Sequence, residues 1–384
     1  MSEPALTGAV ASGLRVALVH DWLTGMRGGE RVLEQLCRLF PDAVIYTLIH
    51  VPGRVSPTIE RHRIRTSALQ RLPRVERIYR HLLPLYPAAI SAMRLDPVDL
   101  VVSSSHCVAK SVIAPAGARH LCYCHTPVRY AYDQFDAYFG PERVGRVQSS
   151  VLRPVMAAFA RWDQRTSDRP DRYVANSQHV ALRIARHYNR RSAVIHPPVD
   201  TTYYAPGTES DRLRAQALVV SALVPYKRVD VAIAACQQAG LPLRIVGQGP
   251  EEGRLRATAG SDVTFLGALT DEQVRAEYRA ATMVLLPGEE DFGIVPVEAQ
   301  ACGTPVVALG RGGATETVVH GQTGMLAGEG VTAFADAIRD TLATTWSVEA
   351  CRRQAERFSV ERFVSEMTHA VQDLMQAAPA ETRW

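Results

Sequence analysis

Short apolar runs alternate along this chain with longer segments in which apolar residues recur every three or four positions. VALVH (16–20) is the first such run, and ERVLEQLCRLF (30–40) after it has the spacing of an amphipathic helix. Five further runs predict strands in the first half: AVIYTLI (43–49), VDLVVSS (98–104), HLCYC (120–124), RYVAN (172–176) and AVIH (193–196). Buried strands that alternate with helices predict a parallel sheet covered by helices on both faces.

The segment HPPVDTTYYAPG (196–207) interrupts this alternation with three prolines and a glycine, which predicts a linker. The pattern then restarts with five predicted strands: ALVVSA (217–222), PLRIVG (242–247), VTFLG (263–267), MVLLP (283–287) and PVVAL (305–309). Helices are predicted at RVDVAIAACQQAG (228–240) and at TDEQVRAEYRAA (270–281), where Thr270 and Gln273 form a capping box.

The two halves therefore predict an α/β chain with two Rossmann-like domains, 1–200 and 208–350. A last helix within 356–384, capped by Ser359, is expected to pack back toward the first domain. The carboxyl ends of both parallel sheets are expected to face a cleft, because open α/β sheets bind their ligands at those ends.

Composition changes this picture little. A chain of 384 residues exceeds what one hydrophobic core usually holds, which agrees with two domains. A net charge of +4 implies no nucleic-acid partner, and seven cysteines without a CxxC pair favour reduced thiols. No apolar run reaches the length of a membrane-spanning helix, and no His/Cys cluster or D-x-D pair has the spacing of a metal site.

The stretch GEEDFGIVPVEAQACGTPVV (288–307) carries an acid at each end of an apolar run. Glu290 is predicted in the loop after a strand, and Glu298 about one turn into the following helix. Ionised carboxylates only accept hydrogen bonds, so hydroxyl groups are their natural partners. Gly293 permits close approach of the backbone to a ligand, and the helix start offers N–H groups to an anion. These residues alone are equally consistent with a solvated loop and an exposed helical acid.

The segment EDFGIVPVE (290–298) resembles the E-x7-E motif of retaining glycosyltransferases of the GT-B fold, family 4. Other segments resemble that family in the same order, so that the resemblance covers most of 14–345. They are SALVPYKRVDVAI, RIVGQGPEEGRL, FLGALTDEQV, AQACGTPVVA and GGATETVVHGQTGMLA. Two more, VHDWLTGMRGGERVLE and YCHTPVRYAYD, are similar to bacterial O-antigen and exopolysaccharide mannosyltransferases.

The resemblance implies a role for each residue around the motif. Glu290 would bind hydroxyls of the donor sugar, and Glu298 the ribose hydroxyls of the nucleotide. Backbone groups nearby would hold sugar and phosphate, at Asp291, Phe292, Gly293 and Ile294. Lys227 would neutralise the donor diphosphate. The family usually has an arginine five residues before this lysine, where Ala222 stands here, and Arg228 is the candidate replacement.

Two features of the first half match the family as well. Gly28 and Gly29 resemble its glycine loop, whose backbone faces the diphosphate, although a plain flexible turn would have the same composition. His125 resembles the histidine that contacts the donor sugar near the reacting centre, although a lone histidine is often structural. The loop GQGPEEG (247–253) fits a dinucleotide-binding pattern poorly, because VTFLG (263–267) ends without the acid that such a site requires.

The segment 61–94 holds eight arginines and one acid, Glu76, with apolar residues between them. This pattern predicts a surface for an anionic membrane or a lipid diphosphate, centred on Arg71, Arg74, Arg77 and Arg80. The alternative is a set of ordinary helices with solvated arginines.

The sequence thus predicts a metal-free retaining mannosyltransferase without a cofactor. Its expected co-substrate is GDP-mannose, and its expected acceptor is a polyprenyl-diphosphate-linked glycan bound by the first domain. Its expected location is the cytoplasmic face of the cell membrane, as a peripheral protein. The alternatives are a family 4 transferase with another donor such as a UDP-sugar, a GT-B nucleotide-sugar epimerase, and a non-catalytic binder of sugar nucleotides.

Overall fold

The computed structural model describes residues 13–208 and 215–378. These residues form two compact units. The first comprises the described residues up to Pro198 together with those from Phe363, and the second comprises the described residues of Val199–Arg362. The chain therefore leaves the first unit, builds the second, and returns to the first.

The first unit contains a seven-stranded parallel sheet with the strand order β3-β2-β1-β4-β5-β6-β7. Its strands are β1 (Val16–His20), β2 (Val44–Thr47), β3 (Ile64–Thr66), β4 (Leu100–Ser105), β5 (Arg119–Cys124), β6 (Arg172–Ala175) and β7 (Ser192–Val194). Every neighbouring pair is parallel. The central strands β1 and β4 are buried along their whole length, since both faces of the sheet are covered.

The helices of the first unit differ widely in length. In chain order they are α1 (Gly28–Leu39), α2 (Pro57–Glu60), α3 (Val75–Ile78), α4 (Tyr86–Ala92), α5 (Arg129–Tyr132), α6 (Phe135–Phe139), α7 (Pro141–Val144), α8 (Arg146–Arg165) and α9 (Gln178–Tyr188). Short 3-10 helices lie at Ala68–Arg71, Tyr79–Leu85 and Ala109–Ser111.

The second unit contains a six-stranded parallel sheet with the strand order β10-β9-β8-β11-β12-β13. Its strands are β8 (Ala217–Val220), β9 (Leu243–Val246), β10 (Val263–Gly267), β11 (Met283–Leu286), β12 (Val306–Leu309) and β13 (Gly324–Ala327). Its helices are α10 (Val229–Ala239), α11 (Glu252–Thr258), α12 (Asp271–Ala280), α13 (Ile294–Ala301), α14 (Ala314–Thr317), α15 (Val331–Ala343) and α16 (Val348–Glu356). A 3-10 turn lies at Pro225–Lys227.

The last helix, α17 (Val360–Gln376), returns the chain to the first unit. Its first turn is capped by Ser359, whose Oγ accepts a hydrogen bond from the Arg362 N–H at 3.3 Å. Four residues at helical spacing fill the core on the α1 side of the first sheet: Phe363, Met367, Val371 and Leu374. The capping that the sequence predicts is therefore confirmed.

The predicted fold class, two Rossmann-like parallel-sheet units, is confirmed. The predicted linker 196–207 is wrong in part, because Val199 and Tyr204 are buried in the core of the second unit. The Val199 N–H donates to the Phe358 carbonyl at 2.9 Å, and the ring of Tyr204 packs against Tyr278. The part of this segment from Val199 onward is thus packed into the second unit.

Within the described residues, no helix is both long and apolar enough to cross a bilayer. The seven cysteines are all buried and free, as the sequence predicts. Among the described residues, no group of three or more His, Cys, Asp or Glu side chains is arranged to hold a metal ion.

Candidate active site

Loops at the carboxyl edge of the second sheet pack tightly enough to require glycine. A Cβ on Gly288, just after β11, would lie 2.5 Å from the Tyr226 carbonyl oxygen. A Cβ on Gly313 would lie 2.2 Å from Phe292 Cα. Both distances are too short for any other residue. These glycines therefore let the loops that follow β8, β11 and β12 meet at one place.

The side chains of Lys227 and Glu290 form an ion pair at that place. Lys227 ends the 3-10 turn after β8, and Glu290 lies in the loop after β11. The lysine side chain is 19% exposed and the glutamate side chain 12% exposed, so the pair is mostly screened from water. The Lys227 ammonium also lies 5.3 Å from the centre of the Tyr226 ring. The structure thus brings together two residues that the sequence assigns to different groups of one donor.

The backbone around Glu290 is held by a glycine pair, Gly312 and Gly313, to which sequence reasoning assigned no role. The Gly313 N–H donates to the Glu290 carbonyl at 2.8 Å, and Gly312 forms a parallel bridge with Glu290. Both glycines lie in the loop that begins at Gly310 after β12, and the sequence signal for them is the glycine-rich run GRGG. Their contacts hold the backbone of Glu290 against this loop.

Glu298 lies in the second turn of α13 and is only 7% exposed. Its Oε2 accepts a hydrogen bond from the Tyr278 hydroxyl at 2.8 Å. Burial raises the pKa of Tyr278 well above its usual range, and the nearby Glu298 charge raises it further, so this hydroxyl stays a donor. Tyr278 therefore orients the carboxylate, a role that sequence reasoning missed because Tyr278 reads as a core position of α12.

The residues between Glu290 and Glu298 differ in burial and in backbone conformation. Phe292 is buried against Phe358, with ring centres 5.3 Å apart, so its side chain belongs to the core. Gly293 adopts a left-handed φ of 88° as the N-cap of α13. Asp291 and Ile294 are partly exposed on either side of it.

Arg228 does not join the Lys227–Glu290 pair. It has a left-handed φ of 49° and its Nε lies 3.2 Å from Asp230 Oδ1. Its side chain is 54% exposed. The position where the family usually has arginine, Ala222, is exposed as well. The candidate second cation is thus engaged by a carboxylate two residues further along the chain.

A cluster of polar side chains lies at the carboxyl edge of the first sheet. His20 ends β1 and is in register with Ser104 of β4, and His125 directly follows β5. The Ser104 Oγ lies 2.8 Å from His125 Nε2 and 3.1 Å from His20 Nδ1. Asn176 after β6 donates its side-chain N–H to the His125 carbonyl at 3.0 Å. Of these, the sequence predicted only His125.

The start of α1 lies against this cluster. Gly28 and Gly29 are the first residues of the helix, and not of the preceding loop as the sequence predicted. A Cβ on Gly29 would lie 3.5 Å from His20 Cε1 and 3.6 Å from His125 Nε2. Glu30 is buried, with Oε1 3.9 Å from His20 Nε2. Burial opposes its ionisation, yet the interaction with the His20 ring outweighs burial and lowers the pKa of Glu30.

Asp21 fixes the loop that follows β4. Its carboxylate accepts four backbone N–H groups at 2.6–2.9 Å, those of His106, Cys107, Val108 and Ala109. The His106 Nδ1 also lies 3.1 Å from Asp21 Oδ2, and its ring meets Trp22 edge-on with centres 4.6 Å apart. Burial lowers the pKa of both His106 and His125, which keeps them neutral near pH 7.

Lys110, the one other lysine of the chain besides Lys227, has a structural partner. It is buried and its Nζ lies 3.0 Å from Asp163 Oδ1. The hydroxyls of Tyr132 and Tyr188 donate to the other oxygen of the same carboxylate at 2.9 and 2.8 Å. This network ties α5, α8 and α9 to the segment after β4.

Arg71, Arg74, Arg77 and Arg80 are all exposed on the segment that carries α3. The large apolar side chains of Leu72, Ile78 and Leu85 are exposed beside them. Arg80 has a local partner, because its Nε donates to the Tyr79 hydroxyl at 3.2 Å. The segment is thus a basic surface with apolar side chains interspersed.

Two family models match the chain in sequence. Residues 26–203 match the Glycosyltransferase Family 4 model, and residues 207–358 match the Glycosyl transferases group 1 model. Together these matches cover most of the chain and coincide closely with the two units.

Curated relatives include two D-inositol 3-phosphate glycosyltransferases. That of Mycobacteroides abscessus is 31% identical over 262 residues, which are 60% of this chain and 59% of the relative. That of Mycolicibacterium smegmatis is 36% identical over 205 residues, which are 47% of each chain. The matches thus span about half to three fifths of these relatives.

Solved structures share the fold over nearly the whole chain. Anabaena Alr3699/HepE in complex with UDP-glucose has a TM-score of 0.68 and 19% identity, over 93% of this chain and 99% of that one. The sucrose-phosphate synthase of Thermosynechococcus elongatus has a TM-score of 0.71 and 20% identity, over 95% and 100%. With the two parallel-sheet units, this likeness shows a GT-B fold, in which a segment that matches the Glycosyltransferase Family 4 model precedes one that matches the Glycosyl transferases group 1 model.

Proposed function

We propose that the chain is a retaining glycosyltransferase that moves mannose from GDP-mannose to a hydroxyl of a polyprenyl-diphosphate-linked glycan. The observation that carries this proposal is the convergence of Lys227 and Glu290 at the carboxyl edge of the second sheet, with Glu298 on the helix that follows. A cation, a sugar-binding acid and a ribose-binding acid are the groups that a nucleotide-sugar needs.

In the proposed reaction the bond between C1 of the sugar and the diphosphate oxygen breaks, and a bond from C1 to the acceptor oxygen forms on the same face. The acceptor hydroxyl loses its proton to the departing diphosphate, so no protein nucleophile is required. Negative charge grows on the leaving group, and Lys227 is placed to stabilise it. Glu290 would accept hydrogen bonds from the sugar hydroxyls, and Glu298, oriented by Tyr278, from the ribose.

The remaining donor contacts are proposed from the backbone and from the first unit. Asp291, Phe292, Gly293 and Ile294 would offer N–H groups, because the side chain of Phe292 is committed to the core. In the first unit, Gly28 and Gly29 start α1, whose positive end favours a diphosphate. His125 would contact the donor sugar. Arg228 would bind the diphosphate only after its ion pair with Asp230 breaks.

Two donors have support. GDP-mannose is supported by the similarity of VHDWLTGMRGGERVLE and YCHTPVRYAYD to mannosyltransferases. A UDP-sugar with an inositol phosphate acceptor is the second candidate, because the curated relatives are named for that acceptor and a structural neighbour holds UDP-glucose.

A thermal-shift panel of GDP-mannose, UDP-glucose, GDP and UDP separates these candidates. A donor at 100 times its Kd should stabilise the protein by about 2.7 kcal/mol, and Lys227→Met should reduce the shift at the same donor concentration. A shift with GDP-mannose and GDP alone supports the first candidate, and a shift with the uridine compounds alone supports the second. No shift with any of the four, in protein that melts cooperatively, would refute the proposal of a nucleotide-sugar enzyme.

We also propose that the exposed basic surface around α3 binds the anionic leaflet in which a lipid-linked acceptor lies. The segment 61–94 carries eight arginines against one glutamate. A basic residue near an anionic surface contributes about 1 kcal/mol, screened beyond roughly 8 Å at physiological salt. Exposed Leu72, Ile78 and Leu85 would enter the interface. Attachment is therefore expected to be reversible and sensitive to salt.

Liposome flotation with and without anionic lipid tests this surface. Replacing Arg71, Arg74, Arg77 and Arg80 by Gln should release the protein from anionic vesicles and leave GDP-mannose binding intact. The matched control removes the same charge from the second unit, at Arg254, Arg256, Arg311 and Arg339, and should leave flotation unchanged. Equal loss in both variants would mean that only net charge matters, and flotation of neither wild type nor variants would rule out the surface.

A further inference from the structure

We propose that Glu30, acting through His20 and Ser104, holds the single ring proton of His125 on Nε2, so that Nδ1 is presented as a hydrogen-bond acceptor. Glu30, His20 and Ser104 are then positioning residues, and His125 is the residue at the end of the chain. The inference comes from the geometry of the carboxyl edge of the first sheet.

The three side chains meet because of strand register. His20 of β1 and Ser104 of β4 are register partners, and Ser104 is also the partner of Tyr123 in β5. Since successive side chains alternate between the faces of a sheet, His125 lies on the same face as Tyr123. The rings of Tyr123 and His125 are 5.2 Å apart, which agrees with that placement.

Ser104 has only one proton to donate. Its Oγ lies within hydrogen-bond distance of both His125 Nε2 and His20 Nδ1. A hydroxyl offers one O–H donor and two lone pairs, so at most one imidazole can accept from Ser104. With one proton on each imidazole, two arrangements use the Ser104 O–H within the chain, and in each of them one ring accepts from Ser104 while the other donates to it.

The carboxylate of Glu30 selects between them. In the first arrangement His20 carries its proton on Nε2, facing Glu30 Oε1 at 3.9 Å, and Nδ1 accepts from Ser104. Ser104 then accepts from His125 Nε2–H. In the second arrangement His20 would direct a bare nitrogen lone pair at the carboxylate, which is repulsive. The first arrangement is therefore favoured, and it leaves Nδ1 of His125 unprotonated.

Glu30 is held where this requires. It lies in the first turn of α1, and its Oε2 accepts the Arg27 N–H at 3.1 Å. Burial raises the pKa of Glu30, but the interaction with the neighbouring His20 ring lowers it by more. The positive end of the helix also favours the carboxylate. The other histidine of the cluster, His106, is oriented separately by Asp21 and has no place in the chain.

The tautomer is measurable without any substrate. Long-range ¹H–¹⁵N spectra of the ring nitrogens distinguish a protonated nitrogen from a bare one, and His125→Gln assigns the signals. In the wild-type protein near neutral pH, His125 is expected to show a protonated Nε2 and a bare Nδ1. The opposite tautomer would overturn the proposal.

Two variants and a control test the role of Glu30. Glu30→Gln keeps an oxygen for the Arg27 cap but turns an N–H₂ donor toward His20, and is expected to reverse the chain and move the His125 proton to Nδ1. Ser104→Ala should uncouple His125, so that Glu30→Gln has no further effect in that background. Glu34→Gln, one turn along α1 and beside Arg38, should change nothing. An unchanged His125 tautomer in folded Glu30→Gln would overturn the proposal.

The consequence for turnover rests on the proposed function, in which His125 contacts the donor sugar. A sugar hydroxyl that donates to Nδ1 would meet an N–H instead in Glu30→Gln. The expected loss in kcat/KM is roughly 3- to 10-fold, the value of one hydrogen bond, with nucleotide binding by the second unit unchanged. A reversed tautomer with unaltered turnover would refute the contact of His125 with the sugar and leave the proton chain standing. An unreversed tautomer would refute the chain itself.

Discussion

Replacing Glu290 by Gln is expected to tighten the binding of a free nucleoside diphosphate, although Glu290 is proposed to bind the donor. The reason is the ion pair with Lys227. In the free protein the ammonium that should neutralise the diphosphate is already neutralised by Glu290. Removing that carboxylate frees the lysine and takes away a negative charge that repels the phosphates.

The magnitude follows from the setting of the pair. Opposite charges about 4 Å apart at an effective dielectric of about 20 attract by about 4 kcal/mol. Desolvation of the two groups, 19% and 12% exposed, offsets much of this, so a coupling of about 0.5–3 kcal/mol is expected. Glu290→Gln should thus tighten the binding of GDP or UDP by roughly 2- to 150-fold. Lys227→Met should weaken the same ligand by about 1.5–3 kcal/mol, roughly 10- to 150-fold.

Calorimetric titration of the four proteins of the cycle, at one ionic strength, measures both effects. The double variant should bind only slightly more tightly than Lys227→Met, because without the lysine the one remaining gain is the loss of the repulsion between the carboxylate and the phosphates. Glu289→Gln, which removes a neighbouring charge from the same loop, is the matched control and should change affinity by less than Glu290→Gln. If Glu290→Gln weakens diphosphate binding as much as Lys227→Met does, Glu290 does not compete with the diphosphate for Lys227, and the reasoning fails.

Three further results are expected. Glu298→Ala should weaken the binding of a free nucleotide by about 1.5–3 kcal/mol, and Tyr278→Phe should weaken it by less. An unchanged Kd in both variants would refute the assignment of Glu298 to the ribose. Turnover should survive EDTA, and a loss that Mg²⁺ or Mn²⁺ restores would overturn the metal-free mechanism. Burial, and then the charge of Lys110, lower the pKa of His120 from 6.5 to about 3, so the unfolded state takes up this proton first as pH falls. The free energy of unfolding should therefore drop by about 1.4 kcal/mol per pH unit below pH 6.5, and His120→Gln should reduce that slope in acid-denaturation curves.

The parts of the fold that the sequence predicted are those with strong local signals. Buried strands such as β1 and β11 read as continuous apolar runs, and the α12 capping box marks a helix start directly. The edge strands β3 and β13 were missed because IRT and GMLA are short and carry little apolar signal. These edges gain their strand conformation from pairing with a neighbour, which no local pattern records.

The long helix α8 was missed for a different reason. It runs for twenty residues with Pro154 inside it, and Val147 and Val151 are exposed at 81% and 61%. Apolar residues on the solvent side weaken the three-to-four spacing by which an amphipathic helix is recognised. Its buried side, which includes Met156 and Phe159, becomes distinguishable only when the packing is known.

The polar residues at the carboxyl edges of the two sheets also differ in how far the sequence predicts them. In the second unit Glu290 and Glu298 lie eight positions apart on one loop and one helix, so their chemistry was visible as a motif. In the first unit His20, Ser104 and His125 come from three strands, and the first two are 84 positions apart. Only the strand register shows that they touch. Sequence reasoning found only His125, although His20 also lies in a segment that resembles the family.

Replacing a polar residue at the site affects stability differently in the two units. Lys227 and Glu290 stand on glycine-packed loops, so their replacement removes chemistry and leaves the sheet beneath them intact. His20 and Ser104 are themselves strand residues, wholly buried above the core that contains Leu18 and Val102. Replacing either by an apolar residue leaves its partners with unpaired polar atoms, which costs about 1–3 kcal/mol each. Loss of activity in variants of His20 or Ser104 must therefore be measured on protein whose folding has been verified. In variants of Lys227 or Glu290, loss of activity is expected without loss of stability.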